Sequence, residues 1–223
     1  HLHLAARTAA DLAKAKAEIQ AKFNVSVTTH AVDLSSGDVC RQLAAACKDI
    51  DILVNNAGAI PRGDLWMVDE ATWRKAWDLK VFGYINLTRA VWPNMKAKGG
   101  GVIVNIIGLG GDRVSPGYIA GAAGNASVMG FTRAMGAQGL DDKIRVVGLN
   151  MAGVRTARME RGLKTQAKMQ FGDDSRWEEL IQKRPPPGTP EEIANLAVFC
   201  ASPRASHINA TVLTIDGGVS VLR

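Results

Sequence analysis

Aromatic and sulfur-bearing side chains are scarce in this sequence. Two tyrosines and three cysteines occur in 223 residues, and Phe, Trp and Tyr together make up 5%. The cysteines, Cys40, Cys47 and Cys200, are odd in number and form no C-x-x-C pair. That count excludes a disulfide framework, and the spacing matches no zinc or iron–sulfur ligand pattern, so no metal site is expected. Small buried thiols in a reducing compartment are expected instead. No apolar run approaches the roughly 20 residues needed to span a bilayer, and no secretory leader pattern is present. A cytoplasmic protein with no membrane partner is therefore expected. The net charge is +6, but Lys and Arg form no run of five, which argues against a nucleic-acid partner. The sign suits a small anionic ligand.

What is present is a regular alternation of strand and helix patterns. Strands are expected at Leu2–Ala6, Val25–Val32, Ile52–Val54, Val102–Ile107, Ile144–Leu149 and Val212–Ile215. Helices are expected at Thr8–Lys22, Gly37–Lys48, Glu70–Lys98, Tyr118–Gln138 and Pro190–Ala201. Thr8 with Asp11 three residues later resembles a capping box, Gly99-Gly100-Gly101 ends the third helix, and Pro190 stands at a first helical position. Single helices between largely apolar strands imply right-handed crossovers and a parallel sheet. The fold class is α/β, a doubly wound, Rossmann-like parallel sheet in one domain over residues 1–223. His1 to Ala6 reads as a strand already under way, so further chain upstream is expected.

In such sheets a ligand lies beyond the carboxyl ends of the strands. Those ends carry Asp33-Leu34, Asn55-Asn56-Ala57-Gly58, Gly108 and Asn150. Ala57 and Gly58 allow close backbone approach, and the two asparagines suit a turn tied to neighbouring strands. Taken with Val104-Asn105-Ile106, Asn150 to Thr156 and Asp216-Gly217-Gly218, this series resembles the short-chain dehydrogenase/reductase family over essentially the whole chain. The resemblance implies a seven-stranded sheet binding NADP or NAD. It places Asp33 and Leu34 at the adenine and Asn55, Ala57, Gly58 and Asn150 along the dinucleotide. Thr156 would approach the nicotinamide. Arg7, just past the first strand, suits a 2′-phosphate and so favours NADP over NAD. The resemblance also implies a carbonyl or alcohol substrate, a mobile substrate cover over residues 156–187, and a homodimer or homotetramer built on the helices at 70–98 and 118–138.

Two parts of the family pattern are missing. The glycine-rich turn that would hold the pyrophosphate is absent, and the catalytic Ser, Tyr and Lys are replaced. Gly108 stands at the Ser position, Gly121 at the Tyr position and Asn125 at the Lys position, with Lys80 where a helper Asn is usual. One reading is a catalytically silent dinucleotide-binding sensor or subunit. The other is relocated chemistry. Tyr118, nearly one helical turn before Gly121, would exchange the proton. Lys80 would supply the cation, Ser115 a hydroxyl, and Asn125 the remaining polar group.

Overall fold

The computed structural model describes residues 1–181, 183 and 185–222. Six strands lie parallel in two sheets. Strands β1 (Leu2–Ala6) and β2 (Val27–Ala31) form one, with Leu2 opposite Val27. Strands β3 (Ile52–Asn55), β4 (Gly101–Ile106), β5 (Ile144–Met151) and β6 (Thr211–Ile215) form the other in that spatial order. The register places Asn55 beside Asn105 and Asn105 beside Gly148.

The four-stranded sheet is covered on both faces, as its apolar strands require. On one side Ile103 and Val146 pack against α2 (Gly37–Ala46) and α4 (Gly83–Ala97), through Cys40, Leu43, Leu87 and Val91. On the other, Val104, Ile106, Val147 and Leu149 meet α7 (Pro190–Ala201) through Cys200, Leu196 and Ala197. Adjacent residues of β4 therefore serve opposite layers, the two-residue period of a strand. The doubly wound α/β expectation holds. The seven-stranded sheet implied by resemblance is represented by six strands in two sheets, because these residues contain six strand-forming segments. No described strand pairs with the outer edge of β3, where Ile52 and Val54 are exposed.

Helix α1 (Ala9–Lys22) starts after Thr8 as expected, but Thr8 makes no side-chain cap bond. The full capping box is at Thr189 and Glu192 instead. The single helix expected over 70–98 is three pieces: α3 (Glu70–Trp77), a π-turn (Asp78–Phe82) and α4. A widened turn of this kind re-aims the side chains within it. Gly83, directly after it, admits the carbonyl of Leu34, since a Cβ there would lie 2.9 Å from that oxygen. Helix α5 (Ile119–Asp142) is longer than expected. The segment after β5 forms α6 (Ala157–Phe171) and a 3-10 stretch at Asp174–Leu180. Of the expected cover, positions 182 and 184 lie outside the described residues.

Candidate active site

The loop after β3 is stitched to the start of α5. Gly63 N–H donates to the Gly117 carbonyl at 2.9 Å, and Ile119 N–H donates to the Gly63 carbonyl at 3.3 Å. Gly63 has φ +146°, a conformation open to glycine. Between those bonds sits Tyr118, whose ring packs beside a cluster of Ile60, Val68, Ala76 and Ala120. The ring folds back over its own helix. A methyl built on Gly121 would collide with Tyr118 Cζ, Cε1 and Cε2, and one on Gly110 would stand 3.1 Å from Cδ1. The phenol therefore fills the volume in which a side chain at 121 would begin. Among the described residues its hydroxyl has no hydrogen-bond partner.

The same economy applies to Gly108. A Cβ there would lie 3.1 Å from the amide nitrogen of buried Asn125. Asn125 thus faces the end of β4 next to the Tyr118 ring, with no side-chain hydrogen bond among the described residues. Ser115 lies in the exposed turn before α5 and has no described contact with Lys80 or Asn125. Its role as hydroxyl donor receives no support from the geometry.

Lys80, on the π-turn, is buried with 7% exposure. Its Nζ donates to the hydroxyl of Tyr84 at 2.9 Å and to the carbonyl of Ile106 at 2.5 Å, and Tyr84 donates to the same carbonyl at 2.9 Å. Its stem runs along Gly58, where a Cβ would stand 3.1 Å from Lys80 Cδ. Burial first, then the charge of Arg158, lowers the ammonium to about 7. Burial pushes the Tyr84 phenol well above its ordinary range. No described contact joins Lys80 to Tyr118. The π-turn aims Lys80 at the end of β4.

The cations beside Tyr118 are Arg158 and Arg62. Burial raises the Tyr118 phenol, and the two arginines oppose that rise. Arg62 Cζ lies 5.9 Å from the ring centroid. Arg158 reaches from the first turn of α6 to the carbonyls of Gly58 at 2.6 Å and Ile60 at 3.3 Å. Helix α6 is thereby fastened to the loop after β3. Among the apolar residues of this segment, Met169 is exposed and Phe171 and Trp177 are half-buried. Only Ala167 is buried in the described part of α6.

The expected dinucleotide residues divide into two groups. Asn55 is turned inward: its amide donates to Asn105 at 2.9 Å and Thr88 at 3.3 Å, and Asn105 donates onward to Thr132 at 2.9 Å. This network ties β3, β4, α4 and α5 together and holds the Asn55 side chain buried. Its backbone, with Ala57 and Gly58, remains at the strand end. Asn150 is fully buried; its amide donates to Asp112 at 2.7 Å, while its Oδ1 is left without a partner. Thr156 caps α6 through Met159 N–H at 3.2 Å. Asp33 accepts from Ser35 N–H at 3.0 Å, which with the charges of Arg7 and Lys75 holds its carboxyl below the usual range. Leu34 gives its carbonyl to Cys40 Sγ at 3.5 Å.

Arg7 and Asp33 thus stand in one electrostatic neighbourhood past the ends of β1 and β2. Ala57 and Gly58 lie at the end of β3, Thr156 opens α6, and the Asn150 Oδ1 at the end of β5 is a buried acceptor without a partner. Arg158, Arg62, Tyr84 and Asp112 were not readable as site residues from the sequence. The only hint was the Arg-rich stretch Arg155 to Arg161 opening α6.

Comparison with known proteins gives a consistent result. The family model described as enoyl-(acyl carrier protein) reductase matches residues 2–220. The chain is 32% identical over 219 residues to galactitol 2-dehydrogenase (L-tagatose-forming) of Cereibacter sphaeroides, covering 96% of this chain and 83% of that protein. It is 32% identical over 208 residues to a 3-oxoacyl-(acyl-carrier-protein) reductase of Chlamydia muridarum, covering 91% and 80%. Among solved structures, L-sorbose reductase from Gluconobacter frateurii, complexed with NADPH and L-sorbose, superposes with a TM-score of 0.89 at 27% identity. That match covers 97% of this chain and 86% of the other.

Proposed function

The chain belongs to the short-chain dehydrogenase/reductase family, and from that membership we propose an NADP-preferring carbonyl reductase whose proton donor is Tyr118. The observation that carries this reading is the seat of the Tyr118 phenol over Gly121, with its hydroxyl free. A tyrosine hydroxyl is available at the site although position 121 has no side chain.

The residues divide the work as follows. When bound, the nicotinamide supplies the hydride to the substrate carbon. The Tyr118 phenol gives its proton to the carbonyl oxygen, and solvent returns it. Arg158 and Arg62 stabilise the phenolate left behind. The Asn125 amide, in the space opened by Gly108, donates a hydrogen bond to the carbonyl oxygen, as a serine hydroxyl otherwise would. Burial raises the phenol, and Arg158 and Arg62 oppose that rise. Lys80 is a positioning residue that fixes the end of β4. The segment 156–187 covers the substrate, with Arg158 as its latch.

Purified protein mixed with NADPH and a panel of ketones is expected to oxidise the coenzyme and release an alcohol. Coenzyme bound with altered fluorescence but never oxidised would favour the silent-binder reading. Arg7→Ala is expected to weaken NADPH binding about tenfold or more, the value of a charge-assisted hydrogen bond, and to leave NADH binding unchanged. Equal losses for both coenzymes would remove Arg7 from 2′-phosphate recognition. We further propose a homodimer or homotetramer joined through α5, whose Ala123, Ala126, Ser127 and Gly130 form an exposed face of small side chains. Sedimentation should give a dimer or tetramer, and a monomer at all concentrations refutes it.

A further inference from the structure

Three potential ligand groups from distant parts of the sequence meet where β1, β2 and the C-terminal end of α2 come together. His3 Nδ1 lies 3.0 Å from His30 Nε2, and His30 Nε2 lies 3.6 Å from Cys47 Sγ. All three ligand atoms fall within 4.8 Å of one another. The two imidazoles are stacked, with centroids 5.3 Å apart and planes 23° from parallel. The strand register explains the meeting. His3 pairs with Thr28 and Ala5 with His30, so the histidines stand diagonally on one face of the two-stranded sheet. Cys47, the C-cap of α2, lies under them, buried with 7% exposure.

The spacing suits one kind of ion. Zinc binds imidazole nitrogen at about 2.0 Å and thiolate sulfur at about 2.3 Å in tetrahedral geometry, which sets N···N near ~3.3 Å and N···S near ~3.5 Å. The His3–His30 and His30–Cys47 distances depart from those values by a few tenths of an ångström, and the His3–Cys47 pair lies within 4.8 Å. Two nitrogens and one sulfur are a borderline-soft donor set of the kind that selects zinc over magnesium or calcium. We propose that His3, His30 and Cys47 form a zinc-binding site with three protein ligands and a fourth position open to water. Binding converts the Cys47 thiol to thiolate as the Zn–S bond forms, and its proton passes to solvent. The ion would clamp β1, β2 and α2 together. It would stiffen the sheet that ends in Arg7 and Asp33 without touching the Tyr118 site, so the proposal stands or falls apart from the catalytic one.

The test is a titration of chelator-treated protein with cobalt(II), a coloured substitute for zinc, followed by displacement with zinc. One equivalent should bind with a thiolate-to-cobalt charge-transfer absorption, and zinc should raise the melting temperature. Cys47→Ser should abolish the absorption. His3→Ala, at an exposed position that the fold tolerates, should weaken zinc binding at least tenfold. Cobalt bound without the charge-transfer band, or equal zinc stabilisation of wild type and His3→Ala, would show only a hydrogen-bonded trio and overturn the site.

Discussion

Tyr118→Phe is expected to lower kcat for carbonyl reduction by about 10²- to 10⁴-fold, the usual contribution of a positioned proton donor. Coenzyme affinity should be unchanged, since the ring that packs beside Ile60 and Ala120 is retained. The companion change is Gly121→Ala. One added methyl would strike the phenol head of Tyr118, so the ring must leave its seat. The expected loss is of the same size, although alanine favours the helix at a buried position. A helix-stabilising substitution that removes activity separates a geometric role from a structural one. Exchanging the two positions, Tyr118→Ala with Gly121→Tyr, starts a phenol from residue 121 and should recover part of the rate. If Tyr118→Phe turns over its substrate as wild type does, the phenol is not the donor and the proposed mechanism fails.

The fold was legible because its layers leave strong periodic marks. Val102 to Ile107 is apolar on both faces since β4 is covered by α2 and α4 on one side and α7 on the other. The break between α3 and α4 left no such mark. Residues 70–98 contain no glycine or proline at 78–82, and the π-turn there is accompanied by tertiary contacts: Leu34 against Gly83 and Lys80 on the Ile106 carbonyl. Nor did the cap at Thr8 follow from its residue type, since the hydroxyl makes no cap bond despite its position.

Within the candidate site, the contact legible from the sequence is one in which a missing side chain makes room for another. Tyr118 is the N-cap of α5 and Gly121 lies in its first turn, so their spacing connects them. The relation of Lys80 to Asn125 concerns two separate elements, the π-turn and α5. The direction of Lys80 is set by the π-turn, which no linear pattern records. Arg158 was hidden for another reason. A long, flexible cation can reach several ångströms from its helix, and only the folded cover places it on the Gly58 carbonyl. His3, His30 and Cys47 likewise have no motif spacing and meet through strand register.

Lys80 gives the second large expectation, a pH-dependent stability. In the unfolded chain its ammonium titrates near 10.5, and in the fold near 7. Below pH 7 both states hold the proton, so folding carries the whole cost of burying the charge. Between 7 and 10.5 the unfolded state binds more protons than the native one, and stability therefore rises with pH. The full span, 10.5 minus 7, corresponds to about 5 kcal/mol at 1.36 kcal/mol per pH unit, an upper bound. From pH 6 to pH 9 the wild type should gain about 3 kcal/mol from this residue. Lys80→Met should remove that gain and be the more stable protein at pH 6. Methionine can follow the same path along Gly58, and the Ile106 carbonyl keeps its bond from Tyr84. Urea midpoints of both proteins at pH 6 and pH 9, compared as a difference, isolate the lysine from every other titrating group. Parallel wild-type and variant curves would mean that the ammonium keeps its proton inside the fold. Lys80 would then be a permanent cation at the end of β4, held there by the Ile106 carbonyl and the Tyr84 hydroxyl.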